Sequence, residues 1–91
     1  MNYRFQTART FWKSFSRLRA EQQQSARQTF RIFKTNPFDS RLRTHKIHRL
    51  SSLYGKTIYA VDIEADLRST FYIEGETVWS VDIGTHDIYK G

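Results

Sequence analysis

Residues 57–84 read TIYAVDIEADLRSTFYIEGETVWSVDIG. Apolar and polar residues alternate through three runs, Thr57–Glu64, Arg68–Gly75 and Thr77–Gly84, interrupted at Ala65-Asp66-Leu67 and at Gly75-Glu76. Alternation with a period of two marks a strand with one buried face. Links this short join antiparallel neighbours, because a parallel return needs a long crossover. The stretch therefore predicts an antiparallel meander with a hairpin at Glu74-Gly75-Glu76. Plain alternation puts Tyr59, Val61, Ile63, Phe71, Ile73, Trp79, Val81 and Ile83 on one apolar face. The other face then carries Ile58, Ala60, Asp62, Arg68, Thr70, Tyr72, Val78, Ser80 and Asp82.

The apolar face needs a cover, and the upstream sequence supplies one. Tyr3–Gln6 predicts a short strand, and Thr7 is placed to cap the helix after it. Ala8, Phe11, Trp12, Phe15 and Leu18 recur at spacings of three and four, which predicts a helix over residues 8–19. A second helix is predicted over Glu21–Lys34, with Ala26, Phe30 and Phe33 as its stripe and Ile32 beside it. The short break near Ala20 favours a helical hairpin over one longer helix. Asn36-Pro37 ends the second helix, since the residue before proline avoids the helical region. "NPFDSRLR" (36–43) reads as a loop, "THKIHRL" (44–50) as a further strand, and Tyr54-Gly55 as a turn. The fold class expected is α+β in a single domain, residues 1–91. An N-terminal strand and a helical hairpin cover one face of a mainly antiparallel sheet of three to four strands, and the other face stays open.

Composition narrows the function. The chain has 91 residues, no cysteine and a net charge of +6. Without cysteine there is neither a disulfide framework nor a thiolate metal site. No apolar run approaches the ~20 residues of a membrane span, and no signal segment opens the chain, so a soluble cytoplasmic protein is expected. Residues 1–56 hold thirteen Lys/Arg against two acids, Glu21 and Asp39; residues 57–91 hold two against seven. Such a cationic part attracts polyanions such as nucleic acid, or an acidic protein partner.

Taken together, "FWKSFSRL", "NPFDSRLRTHKIHRL", "VDIEADLRSTFYI" and "VDIGTHDIY" resemble the RelE/ParE toxin superfamily of type II toxin–antitoxin modules, and within it the RelE/YafQ type. The resemblance implies a toxin that enters the ribosomal decoding site and cuts messenger RNA. It implies a cognate antitoxin, expected to be acidic, that wraps and silences the toxin. The complex would bind operator DNA through the antitoxin. The ParE branch instead poisons DNA gyrase without a nuclease site, so the superfamily alone leaves the chemistry open.

RNA cleavage without a metal needs a base for the 2′-hydroxyl, an acid for the leaving 5′-oxygen and a cation for the phosphate. His86 suits proton transfer near neutrality, and it matches the histidine of a terminal G-[ST]-H motif in YafQ-like members. Arg68 matches the family's catalytic arginine, whose planar fork grips phosphate; the alternative is a salt bridge to Asp62 or Asp66. By the same resemblance His45, Lys46, Asp66 and Tyr89 are candidate catalytic residues, with His48 weaker. Asp66 could orient His86 or simply form the turn, and Asp87 either holds His86 in one tautomer or is solvated. Asp62 stands where YafQ-like members carry another histidine, which leaves the general base unassigned. Arg41, Arg43, Arg49 and Lys56 read as phosphate contacts that set RNA affinity and salt sensitivity. No metal and no cofactor are expected. His45 and His48, three apart in a strand, would point to opposite faces.

Overall fold

The computed structural model of the chain describes residues 2–90. Five strands form one sheet, β1 (Arg4–Thr7), β2 (His45–Lys46), β3 (Tyr59–Glu64), β4 (Leu67–Glu74) and β5 (Thr77–Gly84), in the order β1-β5-β4-β3-β2. β3, β4 and β5 are the predicted antiparallel meander. The first strand lies parallel to the last, with Arg4 opposite Thr77 and Thr7 opposite Ser80.

Helices α1 (Arg9–Phe15) and α2 (Ala20–Thr35) form the hairpin over one face. α1 is shorter than the spacing predicts and begins after Ala8, which gives no side-chain cap, rather than after Thr7. Its last carbonyls are taken up locally. Gln23 Nε2 donates to Phe15 O at 3.1 Å and to Leu18 O at 3.4 Å. Gln22 Oε1 accepts from Arg19 N at 3.0 Å. These bonds satisfy some of the orphan groups where the two helices meet and fix the break between them. α2 ends at Asn36, whose extended backbone leads into buried Pro37.

The core under the hairpin is aromatic. Phe33 meets Phe71 edge-on at 4.9 Å and Phe5 at 5.6 Å, and Phe11 meets Phe30 at 5.4 Å. Edge-to-face geometry adds roughly 0.5–1.5 kcal/mol per pair beyond area burial. One cluster joins Phe33, Leu42, Val61, Phe71 and Val78; another joins Phe11, Phe15, Ala26, Leu67 and Ile83.

Two features depart from the sequence expectation. First, Thr70 pairs with Asp82 but Phe71 pairs with Ser80, so Val81 is an extra residue in β5. This β-bulge reverses the facing of the residues before it. Val78 and Ser80 turn into the core, while Trp79 turns to the opposite face and stacks on Tyr72 at 6.5 Å. Second, "THKIHRL" is a strand only at His45–Lys46; from His48 to Tyr54 it is a helix, α3. Ile47, Leu50 and Tyr54 carry the helical spacing, and Gly55, at φ 66°, ends the helix in the left-handed conformation that glycine tolerates. α3 lies over the face expected to stay open. Ile47 N donates to Ile58 O, and Ile58 N donates to Ser51 Oγ. Ile58, Ala60 and Thr70, all on that face, are buried. On that face Asp66 and His86 are well exposed, at the corner where β3, the β3–β4 turn and the end of β5 meet.

Candidate active site

That corner is built by ladder register. Asp62 on β3 sits directly opposite Arg68 on β4, and Arg68 sits opposite Gly84, the last residue of β5. The two-residue turn at Ala65-Asp66, with Ala65 at a positive φ of 20°, brings Asp66 back beside Arg68. Beyond Gly84 the chain enters a 3-10 helix, His86–Lys90. Ile88 N donates to Thr85 O, and a Cβ on Gly84 would stand 2.9 Å from Ile88 Cγ2. Glycine here lets the terminal helix fold tightly back onto the strand end, so His86 is carried on a short, anchored helix that also packs beside α3.

Arg68 is the centre. Its side chain is only 18% exposed. Nε donates to Asp62 Oδ1 at 3.3 Å, and Nη1 donates to Asp66 Oδ1 at 3.2 Å. Nη1 also lies 2.6 Å from His86 Nδ1 and 3.2 Å from His86 Nε2. His86 Nδ1 in turn lies 2.9 Å from Asp66 Oδ1. A guanidinium only donates and a carboxylate only accepts. Nδ1 of a neutral His86 therefore either accepts from Arg68, with the proton on Nε2, or donates to Asp66, with Nε2 left as a lone pair. The carboxyl of Asp66 is held below its ordinary pKa, first by the hydrogen bond from His86 and then by the nearby positive charge.

Tyr89 closes the other side. Its ring meets the His86 ring edge-on at 5.3 Å, and the Arg68 guanidinium carbon lies 5.9 Å from its centroid. Its hydroxyl is buried without a hydrogen-bond partner among the described residues, and burial pushes the phenol pKa up, so the group holds its proton.

The structure thus brings together His86, Arg68, Asp66 and Tyr89, and adds Asp62. The others lie apart from this cluster. His45 pairs with Ala60 on β3, so it faces the same side one register row away, on the sheet edge. Its Nδ1 donates to Arg43 O at 2.8 Å, which leaves Nε2 as the acceptor of the neutral ring. Lys46 pairs with Tyr59 and so points to the hairpin side. His48 opens α3, so the reasoning that set it opposite His45 along a strand does not apply.

Among the residues read as RNA contacts, Arg41 is fastened by Nε and Nη2 to Asp39, whose carboxyl is lowered to about 2 by those bonds. Arg43 is exposed and adopts φ 52° after a 3-10 turn at Ser40–Leu42. Arg49 is exposed on α3. Lys56 rests 4.2 Å over the Tyr72 ring and 3.7 Å from Glu74.

A concave surface lies on the hairpin side. A groove of about 330 Å³ runs between β1, α1 and α2, floored by Phe11, Phe15 and Phe30 and rimmed by Arg27, Arg31 and Lys34. Trp12, expected in the core, lines it and is 56% exposed.

No protein-family model matches the chain, and no curated protein matches it significantly in sequence. Solved structures do. The RelE–RelB complex of the archaeon Pyrococcus horikoshii OT3 superposes at a TM-score of 0.70 and 14% identity, over 93% of this chain and 96% of that one. The E. coli DinJ–YafQ complex gives 0.67 and 18%, over 99% and 100%. YafQ of E. coli strain BL21(DE3) gives 0.65 and 17%, over 99% and 100%. The fold of this chain is RelE/YafQ-like.

Proposed function

We propose that this protein is the toxin of a type II toxin–antitoxin module and an endoribonuclease that cuts messenger RNA on the ribosome. The observation that carries the reading is the convergence of His86, Arg68 and Asp66 within hydrogen-bond reach at an open corner of a RelE/YafQ-like fold. In this reading the substrate phosphate draws Arg68 Nη1 away from the His86 ring. Nδ1–H then donates to Asp66, and Nε2 presents its lone pair to the 2′-hydroxyl. The 2′-oxygen attacks phosphorus as its proton passes to Nε2, and the P–O5′ bond breaks. The products are a 2′,3′-cyclic phosphate and a 5′-hydroxyl. Arg68 stabilises the charge that grows on the phosphate oxygens. Tyr89, whose hydroxyl is buried, backs the His86 ring and the Arg68 guanidinium, and the leaving oxygen takes its proton from water. The acidic antitoxin is assigned to the groove at Trp12, where aromatic floor and cationic rim suit an amphipathic segment bearing carboxylates.

Induction without the antitoxin, with RNA ends mapped afterwards, tests the reading. Growth arrest with new ends inside translated messages is expected, and the double change His86→Ala, Arg68→Ala should relieve both while the protein stays folded. A second reading, a member that binds its antitoxin or gyrase without cutting RNA, is favoured by Asp62 standing at the site in place of a proton-transfer group. DNA breaks and an SOS response with intact messages would establish it instead.

A further inference from the structure

A guanidinium has two edges that grip phosphate with paired donors, Nη1 with Nη2 and Nε with Nη2. In Arg68 each edge already has one donor engaged: Nε with Asp62, and Nη1 with Asp66 and His86. A phosphate on the Nε/Nη2 edge must displace Asp62, whose oxygen takes the single Nε–H, whereas one on the Nη1/Nη2 edge competes with Asp66 and His86 for the two hydrogens of Nη1. The two carboxylates differ in how firmly they are placed. Asp66 lies in a turn, its side chain is 61% exposed, and its Oδ1 is shared with His86. Asp62 is locked opposite Arg68 in the β3–β4 ladder and is 33% exposed. An exposed pair yields at little cost, whereas a shielded, ladder-fixed one does not.

We propose that Asp62 is a positioning residue for the phosphate-binding arginine. It holds Nε from the neighbouring strand and fixes the guanidinium plane, so that incoming phosphate displaces Asp66 and takes the Nη1/Nη2 edge. This rests on the nuclease reading of the site. It gives Asp62 two effects of opposite sign. Its oxygen orients Arg68 and raises the rate. Its charge, roughly 7 Å from the bound phosphorus, weakens phosphate binding by about three- to tenfold at an effective dielectric between those of protein and water.

The test uses purified protein freed of antitoxin and ribosomes carrying a short message. kcat and KM are measured for Asp62→Asn, Asp62→Ala, Arg68→Ala and His86→Ala, together with binding of a message blocked by 2′-deoxy substitution at the cut. Asparagine keeps an acceptor without charge. Asp62→Asn should hold kcat within about threefold while KM and the affinity for the blocked message improve about three- to tenfold. Asp62→Ala should bind as tightly but lose about 10- to 100-fold in kcat, since the guanidinium is no longer oriented. Should the alanine variant not fold, Asp62→Ser, too short to reach Nε, replaces it. A wild-type kcat in Asp62→Ala, or equal losses in both Asp62 variants, overturns the positioning role. If Asp62→Ala is fully active while Arg68→Ala and His86→Ala are dead, this inference alone fails. If the wild type cuts no message, the nuclease reading itself fails; if all four variants cut at the wild-type rate, the site assignment fails with this inference.

Discussion

Gly84→Ala tests how the site is held. Gly84 does not adopt a left-handed backbone, so alanine is compatible with its conformation. The obstacle is space: the added Cβ would stand 2.9 Å from Ile88 Cγ2. Ordinary carbon contacts begin near ~3.5 Å, so the two must separate by about 0.6 Å. Ile88 is β-branched and stiff at χ1, and cannot swing its methyl aside cheaply. The terminal helix must shift instead, carrying His86 with it. The His86–Asp66 contact of 2.9 Å would then open to roughly 3.5 Å, where a hydrogen bond is lost. Misplacement on this scale costs catalysis about 10- to 50-fold, by proportion with the ~100-fold that attends 1 Å. Stability should change by less than about 1 kcal/mol, because alanine in a strand regains roughly what the contact costs. The assay is cleavage of ribosome-bound message beside a thermal melt. Ile88→Ala, which removes Cγ2, should restore part of the activity to the Gly84→Ala chain. Wild-type cleavage by Gly84→Ala, or no recovery in the double variant, would refute the argument that this glycine seats the histidine.

Three further outcomes are expected. Phe33→Ala removes the ring at the centre of the Phe5–Phe33–Phe71 contacts and should lower unfolding free energy by about 3–5 kcal/mol in urea titration. The Asp39 carboxyl, lowered from 3.8 to about 2, stabilises the fold above the unfolded value and loses that contribution as pH falls through the folded one. Between pH 4 and pH 2 the wild type should therefore lose more stability than Asp39→Asn in parallel melts. Trp12→Ala, at an exposed groove position, should leave the melting temperature within a few degrees yet weaken antitoxin binding by tenfold or more in calorimetry, as expected for an aromatic anchor.

The meander and the hairpin were legible because their periods are clean, at Tyr59-Val61 for the strand and at Phe11-Phe15 for the helix. Trp79 and Val78 were misfaced because a bulge at Val81 inserts one residue without changing composition, and only the partner strand reveals it. α3 did leave a signal, in the spacing of Ile47, Leu50 and Tyr54 before Gly55, but the basic residues between them masked it. At the site, the resemblance pointed to Arg68 and His86, and an arginine one turn from aspartates could be read as a bridge or a catalyst. That Arg68 is engaged by both carboxylates at once follows from ladder register and the Ala65-Asp66 turn, and neither is written in residue types. The separation of Lys46 from His45 onto opposite faces likewise comes from the two-residue strand itself.

The parallel pairing of β1 with β5 has a consequence for when activity arises. These strands meet across about 70 intervening residues, a closure that costs roughly 4 kcal/mol of chain entropy before any contact repays it. Topologies of this kind form slowly. β5 runs directly into the histidine-bearing helix, so until β1 docks, the strand that holds the corner is unsupported along one flank. On the proposed reading, the newly made polypeptide passes through a harmless interval while its tertiary structure is incomplete. An antitoxin segment arriving in that interval would meet its target before it becomes dangerous.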